Sequence, residues 1–335
     1  MKAIGIKTSH KINHEESLVE FEMNKPAANG FDIVVKVKAV SMNPVDTKVR
    51  ANAVKDTVLE NPKILGYDGI GIVDSIGSDV TNFKVGDRVF YAGDVTKNGS
   101  NSEFQLIDSR IVALAPTTIS DTEAVVLPLT SLTAWEAMFD RMNIKKDKKK
   151  TILIIGGAGG VGSIATQIAK ATTELTVIAT ASREETSAWC KDMGADVVVN
   201  HRDLLTSVRE AGFETVDYIF NLADTKIHWD AMAELIAPQG KICSIVDTTE
   251  AVDINKLKPK SVTFIWEFMF TRAMFNTEDI REQSNILSQI ASLVDEGKIK
   301  TTLSKTIEGF SVKSLKQAHE LTESGNNIGK IAISF

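Results

Sequence analysis

The stretch that decides the fold is TILIIGGAGGVGSIATQIAK, residues 151–170. It opens on a β-branched apolar run of strand length and closes on a segment whose apolar residues recur at helical spacing. Between them Gly157, Gly159 and Gly162 fit G-x-G-x-x-G, with Ala158, Gly160 and Val161 completing the loop. Strand, glycine loop and helix in that order form the local architecture that holds a dinucleotide pyrophosphate. Gly157 is expected to make the tight turn, Gly159 to admit the phosphates without a Cβ in the way, and Gly162 to let helix and strand pack closely. The helix start then offers N–H groups to the phosphates. A glycine-rich turn with no ligand is the competing reading, and the flanking strand and helix favour the dinucleotide.

Downstream, strand-like and helix-like segments alternate: TVIATA, EETSAWCKDM, VVVN, DYIFNL, WDAMAELIAP and KICSIV. This alternation predicts a doubly wound parallel sheet, an α/β fold. The second strand ends in Ala181-Ser182-Arg183, where an NAD-preferring site would carry a carboxylate for the ribose 2′-hydroxyl. With a hydroxyl and a guanidinium there instead, NADP(H) is the expected cofactor, through Ser182 and Arg183. One charge-assisted hydrogen bond, about 1.5–3 kcal/mol, supplies roughly ten- to hundredfold discrimination. Arg183 as a plain surface residue near a helix start is the alternative. Strand ends of such sheets also carry ligands, which adds Leu222, Ala223, Ile245 and Val246 as candidate cofactor contacts.

Upstream, the first 125 or so residues read as short strands, clearest at 33–40, 69–76 and 88–91, with turn signals at Asn29-Gly30, Gly77-Ser78 and Val85-Gly86-Asp87. A small rolled sheet is expected. SVTFIWEFMF, residues 261–270, predicts a late strand passing into a helix, 280–296 a helix, and 306–310 and 330–335 strands returning to the first domain.

At 335 residues, with 43% hydrophobic and 24% charged residues, the chain has the balance of a globular protein of two domains. A formal charge of −6 gives no attraction to nucleic acid or anionic lipid, and the basic run 145–150 is interrupted by Asp147. No apolar stretch reaches the length of about 18 residues that spans a membrane, and the N-terminus lacks a signal-peptide core, so a cytoplasmic location is expected. Only Cys190 and Cys243 occur, which excludes a disulfide framework and a four-cysteine metal site. His10 and His14 read as surface residues.

In order along the chain, SMNPVDTK (41–48), LGYDGIGIV (65–73), VGDRVFYAG (85–93), LPLTSLTAWEA (127–137), the glycine loop and ATASREETSAWCKDMGADVVVNHR (179–202) resemble the medium-chain dehydrogenase/reductase superfamily. Within it they look like the quinone oxidoreductase branch and the bacterial zinc-type alcohol dehydrogenase-like proteins. The resemblance implies a GroES-like catalytic domain at 1–125 and 275–335, a Rossmann domain at 126–274, and a homodimer joined around residues 243–270. Zinc members place a cysteine ligand where this chain has Asn43 and a histidine where it has Tyr67, and Gly93 to Asp108 lacks the structural-zinc cysteines. No metal is therefore expected.

By the same resemblance Asn43, Asp46, Lys48 and Tyr67 border the substrate pocket, with Asn43 or Tyr67 as hydrogen-bond donor to an acceptor oxygen. A turn at Asn43-Pro44, a helix-capping Asp46 and a solvated Lys48 remain the structural alternatives. Thr133 is expected near the nicotinamide and His201 near the 2′-phosphate, His201 as a loop histidine being equally open. The aromatic and methionine cluster after Trp266 reads first as core or dimer contact, with Phe268, Met269 and Phe270 also lining the cofactor pocket, and Asn326, Asn327 and Lys330 close it. The function expected is NADPH-dependent, zinc-independent hydride transfer to a quinone or conjugated carbonyl. A zinc alcohol dehydrogenase and a cofactor-binding protein of negligible turnover are the alternatives.

Overall fold

A computed structural model describes residues 1–55, 57–248 and 250–335 of the chain. It divides into two compact units, one formed by Met1–Leu129 with Phe270–Phe335 and the other by Thr130–Met269.

In the first unit the described residues form a seven-stranded sheet and a three-stranded one. Along the larger sheet run Leu303–Ile307, Lys330–Ser334, Asp32–Met42, Asp68–Ile76, Arg88–Tyr91 and Val112–Leu114, with Phe104–Asp108 paired to Asp32–Met42 off that path. The strands expected at 33–40, 69–76, 88–91 and 330–335 are present to within a residue or two at their ends, and the one expected at 306–310 lies three residues earlier, at Leu303–Ile307. Register shifts between Val34 and Val35 and between Val37 and Ala39 bend the long strand Asp32–Met42. Its first half, through Ile33 and Val35, packs into one apolar cluster with Val73, Val89 and Ile107. Its second half, through Val37 and Val40, packs into another with Ile4, Leu65, Leu315 and Ile331. This is the rolled sheet that the dense apolar strands imply. Turn glycines Gly30 and Gly86, with φ of 53° and 95°, sit where the sequence marks turns. The C-terminal strand pairs antiparallel with Asp32–Met42, Ile331 opposite Met42, which puts Lys330 beside Asn43.

Among the described residues six parallel strands make the sheet of the second unit, in the order Val197–Val199, Thr176–Thr180, Thr151–Ile155, Val216–Asn221, Ile236–Ser244, Thr263–Trp266. In sequence order this is 3-2-1-4-5-6, the doubly wound dinucleotide-binding order. Residues 152–155 are wholly buried, as befits a central strand covered by helices on both faces. The segment 261–270 departs from expectation: its strand Thr263–Trp266 does not run into a helix, and the next helix, Thr271–Phe275, follows only after a turn. No helix among the described residues is long and apolar enough to cross a membrane.

Candidate functional site

Strand order in the second unit reverses at Thr151–Ile155, so its carboxyl end and that of Val216–Asn221 flank the crevice where such sheets bind ligands. The glycine loop lies there, with one change of role. Gly156, not Gly157, takes the left-handed turn, at φ 90°. Gly157 is needed for a different reason: a Cβ on it would come within 2.8 Å of the Ala179 Cβ on the neighbouring strand. A Cβ on Gly162 would meet the Gly156 carbonyl oxygen at 2.4 Å, the close helix-on-loop contact expected of it. Around Gly159 a Cβ would meet nothing nearer than 3.5 Å, so the loop is open on that side. Gly159 caps helix Gly160–Thr172 with no side chain, which leaves the first helical amides, from Gly160, Val161 and Gly162, for an anion. Ala158 is buried in a small cluster with Ala179, Ala181 and Cys190 that backs the loop. Trp189 Nε1 donates to Ser163 Oγ at 2.7 Å, and Ser163 Oγ to the Gly159 carbonyl at 2.7 Å, fixing the loop from behind.

At the adjacent strand ends the Ala181 amide donates to the Val199 carbonyl at 2.9 Å. This sets Ser182 and Arg183 next to the segment that starts with Asn200 and His201. Arg183 begins helix Glu184–Asp192, and its Nε lies 3.2 Å from Glu185. The His201 ring is edge-on to His228, centroids 6.3 Å apart. Burial, and then the Arg202 charge, lower the His201 pKa below its ordinary value; burial and His201 do the same to His228. Sequence reading missed His228, which sits on a different helix and carries no motif. Asn221 Nδ2 donates to Ser244 Oγ at 3.1 Å and to Thr225 Oγ1 at 3.0 Å, tying two strand ends together. Leu222, Ala223, Ile245 and Val246 follow directly from those tied ends, all half-buried. Thr133 is buried in helix Pro128–Trp135; Met269 is buried and Phe268 is 48% exposed.

The first unit contains a second constellation, a buried polar cluster of Asn43, Asp46, Asp68 and Lys330 beside Tyr67. Asn43 precedes helix Pro44–Asn52, with Pro44 at its first position. Asp46 Oδ2 accepts the Asn43 amide at 2.8 Å, and its Oδ1 accepts the Gly66 amide at 3.1 Å. Asp46 is thus a cap, and also a tie between the helix start and the turn bearing Tyr67. Burial pushes its carboxyl up to about 7, against the pull of the Asn43 N–H and Lys330. Asp68 is the hub that sequence reading passed over, although Gly66-Tyr67-Asp68 kept the acid of the family's G-H-E pattern. Its Oδ1 accepts from the Leu129 amide at 2.8 Å, and its Oδ2 from Asn43 Nδ2 at 2.7 Å and Lys330 Nζ at 3.2 Å.

Lys330 is corrected by this geometry. Its Nζ also donates to the Met42 carbonyl at 2.6 Å and to Asn43 Oδ1 at 2.5 Å, so all three protons of the ammonium are used inside the unit rather than on a cofactor. Asn43 is corrected in the same way: one end of its amide is held by Lys330, the other by Asp68. Lys48 is exposed on the helix. Tyr67 is different. It is buried, its ring edge-on to Phe270 at 5.4 Å, and among the described residues nothing accepts from or donates to its hydroxyl. Burial, with the negative charges of Asp46 and Asp94, raises its pKa above the ordinary phenol value.

Residues 29–118 match the family model of the alcohol dehydrogenase GroES-like domain, and residues 193–333 that of the zinc-binding dehydrogenases. A zinc-type alcohol dehydrogenase-like protein from Staphylococcus epidermidis is 46% identical over 340 aligned residues, covering all of both chains. The chain belongs to the medium-chain dehydrogenase/reductase superfamily. A Rhizobium etli crystal structure named for the zinc-dependent alcohol dehydrogenases shares 47% identity and a TM-score of 0.95 with this dehydrogenase/reductase, over 100% of this chain and 98% of that one. The Escherichia coli quinone oxidoreductase complexed with NADPH shares 25% identity and a TM-score of 0.84 over 100% of both. The first unit is accordingly the GroES-like fold of the superfamily and the second its Rossmann fold, and the chain is an oxidoreductase of the nicotinamide-using kind.

Proposed function

We propose that this medium-chain dehydrogenase/reductase transfers hydride from NADPH to a quinone or a conjugated carbonyl without a metal. The observation that carries the reading is the buried phenol of Tyr67, unpartnered among the described residues, at the position where zinc relatives hold a histidine ligand. Catalytic zinc needs three protein ligands and an open position. Around Tyr67 the cluster offers no thiol and no imidazole, its Asn43 amide is engaged at both ends, and both Asp46 oxygens accept backbone amides. Among the described residues no group of three or more His, Cys, Asp or Glu is placed to hold a metal. The donor set does not fit zinc, despite the names of the relatives.

For the cofactor the residues do fit. Gly156, Gly157, Gly159 and Gly162 give a cradle a Cβ would fill or distort, the amides of Gly160–Gly162 would meet the pyrophosphate, and Ser182 with Arg183 would hold the 2′-phosphate. When bound, reduced nicotinamide supplies a hydride. An acceptor of this class delocalises the incoming electron pair onto its oxygen, so the protein has mainly to orient it, exclude water and meet the oxygen with a donor. Tyr67 is suited to that task because its raised pKa keeps the proton on the phenol while it donates a hydrogen bond. Phe270 packs edge-on against the Tyr67 ring at 5.4 Å and helps to hold it in place. The reading includes a homodimer through the exposed edge strand Thr263–Trp266, where Trp266 is 51% exposed, and a place in the cytoplasm.

The test is Tyr67→Phe, assayed as NADPH oxidation with 1,4-naphthoquinone beside NADPH binding by fluorescence. Loss of one donor to a developing oxyanion should lower kcat about hundred- to thousandfold with NADPH affinity unchanged. Unchanged turnover would remove Tyr67 as the donor.

A further inference from the structure

Arg183 is not an idle guanidinium waiting for a phosphate. Its backbone is locked: the amide donates to Thr186 Oγ1 at 3.1 Å, and the carbonyl accepts from Thr186 Oγ1 at 2.8 Å, Ser187 Oγ at 3.0 Å and the Ser187 amide at 2.9 Å. Only the side chain can move, and it leans along the first turn of helix Glu184–Asp192 to place Nε 3.2 Å from Glu185 Oε1. We propose that Glu185 is a specificity-determining residue that weakens this chain's preference for 2′-phosphorylated nucleotides, because its carboxylate competes with the 2′-phosphate for Arg183. The inference rests on the NADP(H) reading above and names a residue which that reading does not use.

Two physical arguments support it. An exposed ion pair adds little to stability, and Glu185 is 62% exposed, so the pair is free to answer to a ligand without cost to the fold. A carboxylate paired with Arg183 would also repel an anion taken up by that guanidinium: at an assumed separation of about 6 Å, a single charge and a phosphate of about −2, in water at physiological salt, repel enough to weaken binding about threefold. Release of the guanidinium adds to this. Glu184 shares the helix turn and is exposed as well, but the ion pair to Arg183 is made by Glu185. Glu184 therefore serves as the control for a general charge effect.

The experiment is titration of the purified full-length chain with NADPH and NADH, read by fluorescence as dissociation constants, for the wild type, Glu185→Gln, Glu184→Gln, Arg183→Ala and the Arg183→Ala, Glu185→Gln double variant. Glu185→Gln should tighten NADPH about five- to tenfold, the repulsion and the release of Arg183 together, and leave NADH within about twofold. Glu184→Gln should leave both within about twofold. In the Arg183→Ala background the gain from Glu185→Gln should fall to the repulsive part, about threefold. An unchanged NADPH constant in Glu185→Gln, or equal tightening of NADPH and NADH, overturns the assignment of Glu185. Equal weakening of both nucleotides by Arg183→Ala instead overturns the NADP(H) reading and the role of Glu185 with it.

Discussion

At the scale of single residues, two buried titratable groups give the chain a readable pH response. His319 is wholly buried with neither ring nitrogen partnered among the described residues, and burial followed by the nearby Arg50 charge lowers its pKa to about 3. The unfolded chain takes up that proton near pH 6.5 and the folded one does not. Stability should therefore fall with acidification, by about 1.4 kcal/mol per pH unit from pH 6.5 towards 3, and His319→Leu should flatten the thermal midpoint over that range. A midpoint profile identical to wild type would show that the histidine is not neutral inside. Asp46 works in the opposite sense. Its carboxyl is raised to about 7, so the folded state holds the proton more tightly than the unfolded one, and stability is lost as pH rises from about 4 to 7 and is level above. Protonation also ends one of its two backbone ties, which should relax the Tyr67 turn below pH 7. In a sample labelled with nitrogen-15 glycine, the Gly66 amide should titrate with a midpoint near 7, and Asp46→Asn should abolish that step; a flat Gly66 signal in the wild type would contradict the tie. The amino-acid types of this cluster were legible in the sequence, but their roles were not. Nothing in the string SMNPVDTK shows that Lys330, 287 positions away from Asn43, would consume the amide that looked like a substrate donor.

At the scale of elements, the glycine loop was the most legible feature because its meaning is local: strand, turn and helix are contiguous, and their order suffices. Only the assignment of the turn slipped by one residue. The sequence shows Gly156-Gly157 as a pair and cannot tell which takes the left-handed conformation, whereas the packing decides it: the space over Gly157 is filled by Ala179 and Cys190. Gly162→Ala should drive helix and loop apart, since its Cβ would meet the backbone oxygens of Gly156 and Gly157 at 2.4 and 2.6 Å rather than a side chain able to yield. A loss of about 1–3 kcal/mol in thermal or denaturant stability is expected, together with at least tenfold weaker nucleotide binding. Wild-type affinity in a folded Gly162→Ala protein would mean that the loop does not hold the pyrophosphate. Less legible were elements whose identity depends on distant partners. The run 261–270 is rich in strand-forming residues, and the strand within it ends at Trp266, the last residue paired with Lys241–Ser244.

At the scale of the whole molecule, the family framework was visible as a series of motifs in order, which is why two folds and their discontinuous arrangement along the chain could be anticipated. What the order of motifs could not convey is chemistry, since the relatives carry the name of a zinc enzyme. The exposed edge of the parallel sheet leads to a separate expectation: Trp266→Asp should shift the particle from dimer to monomer in sedimentation velocity, and a sedimentation coefficient unchanged from a dimeric wild type would rule this edge out. The central claim concerns the metal, and it is tested most directly by assaying NADPH oxidation with 1,4-naphthoquinone on protein stripped by chelator, with zinc content measured on the same sample. Full turnover is expected at zinc far below one ion per chain. Turnover that vanishes on stripping and returns in proportion to added zinc would contradict it.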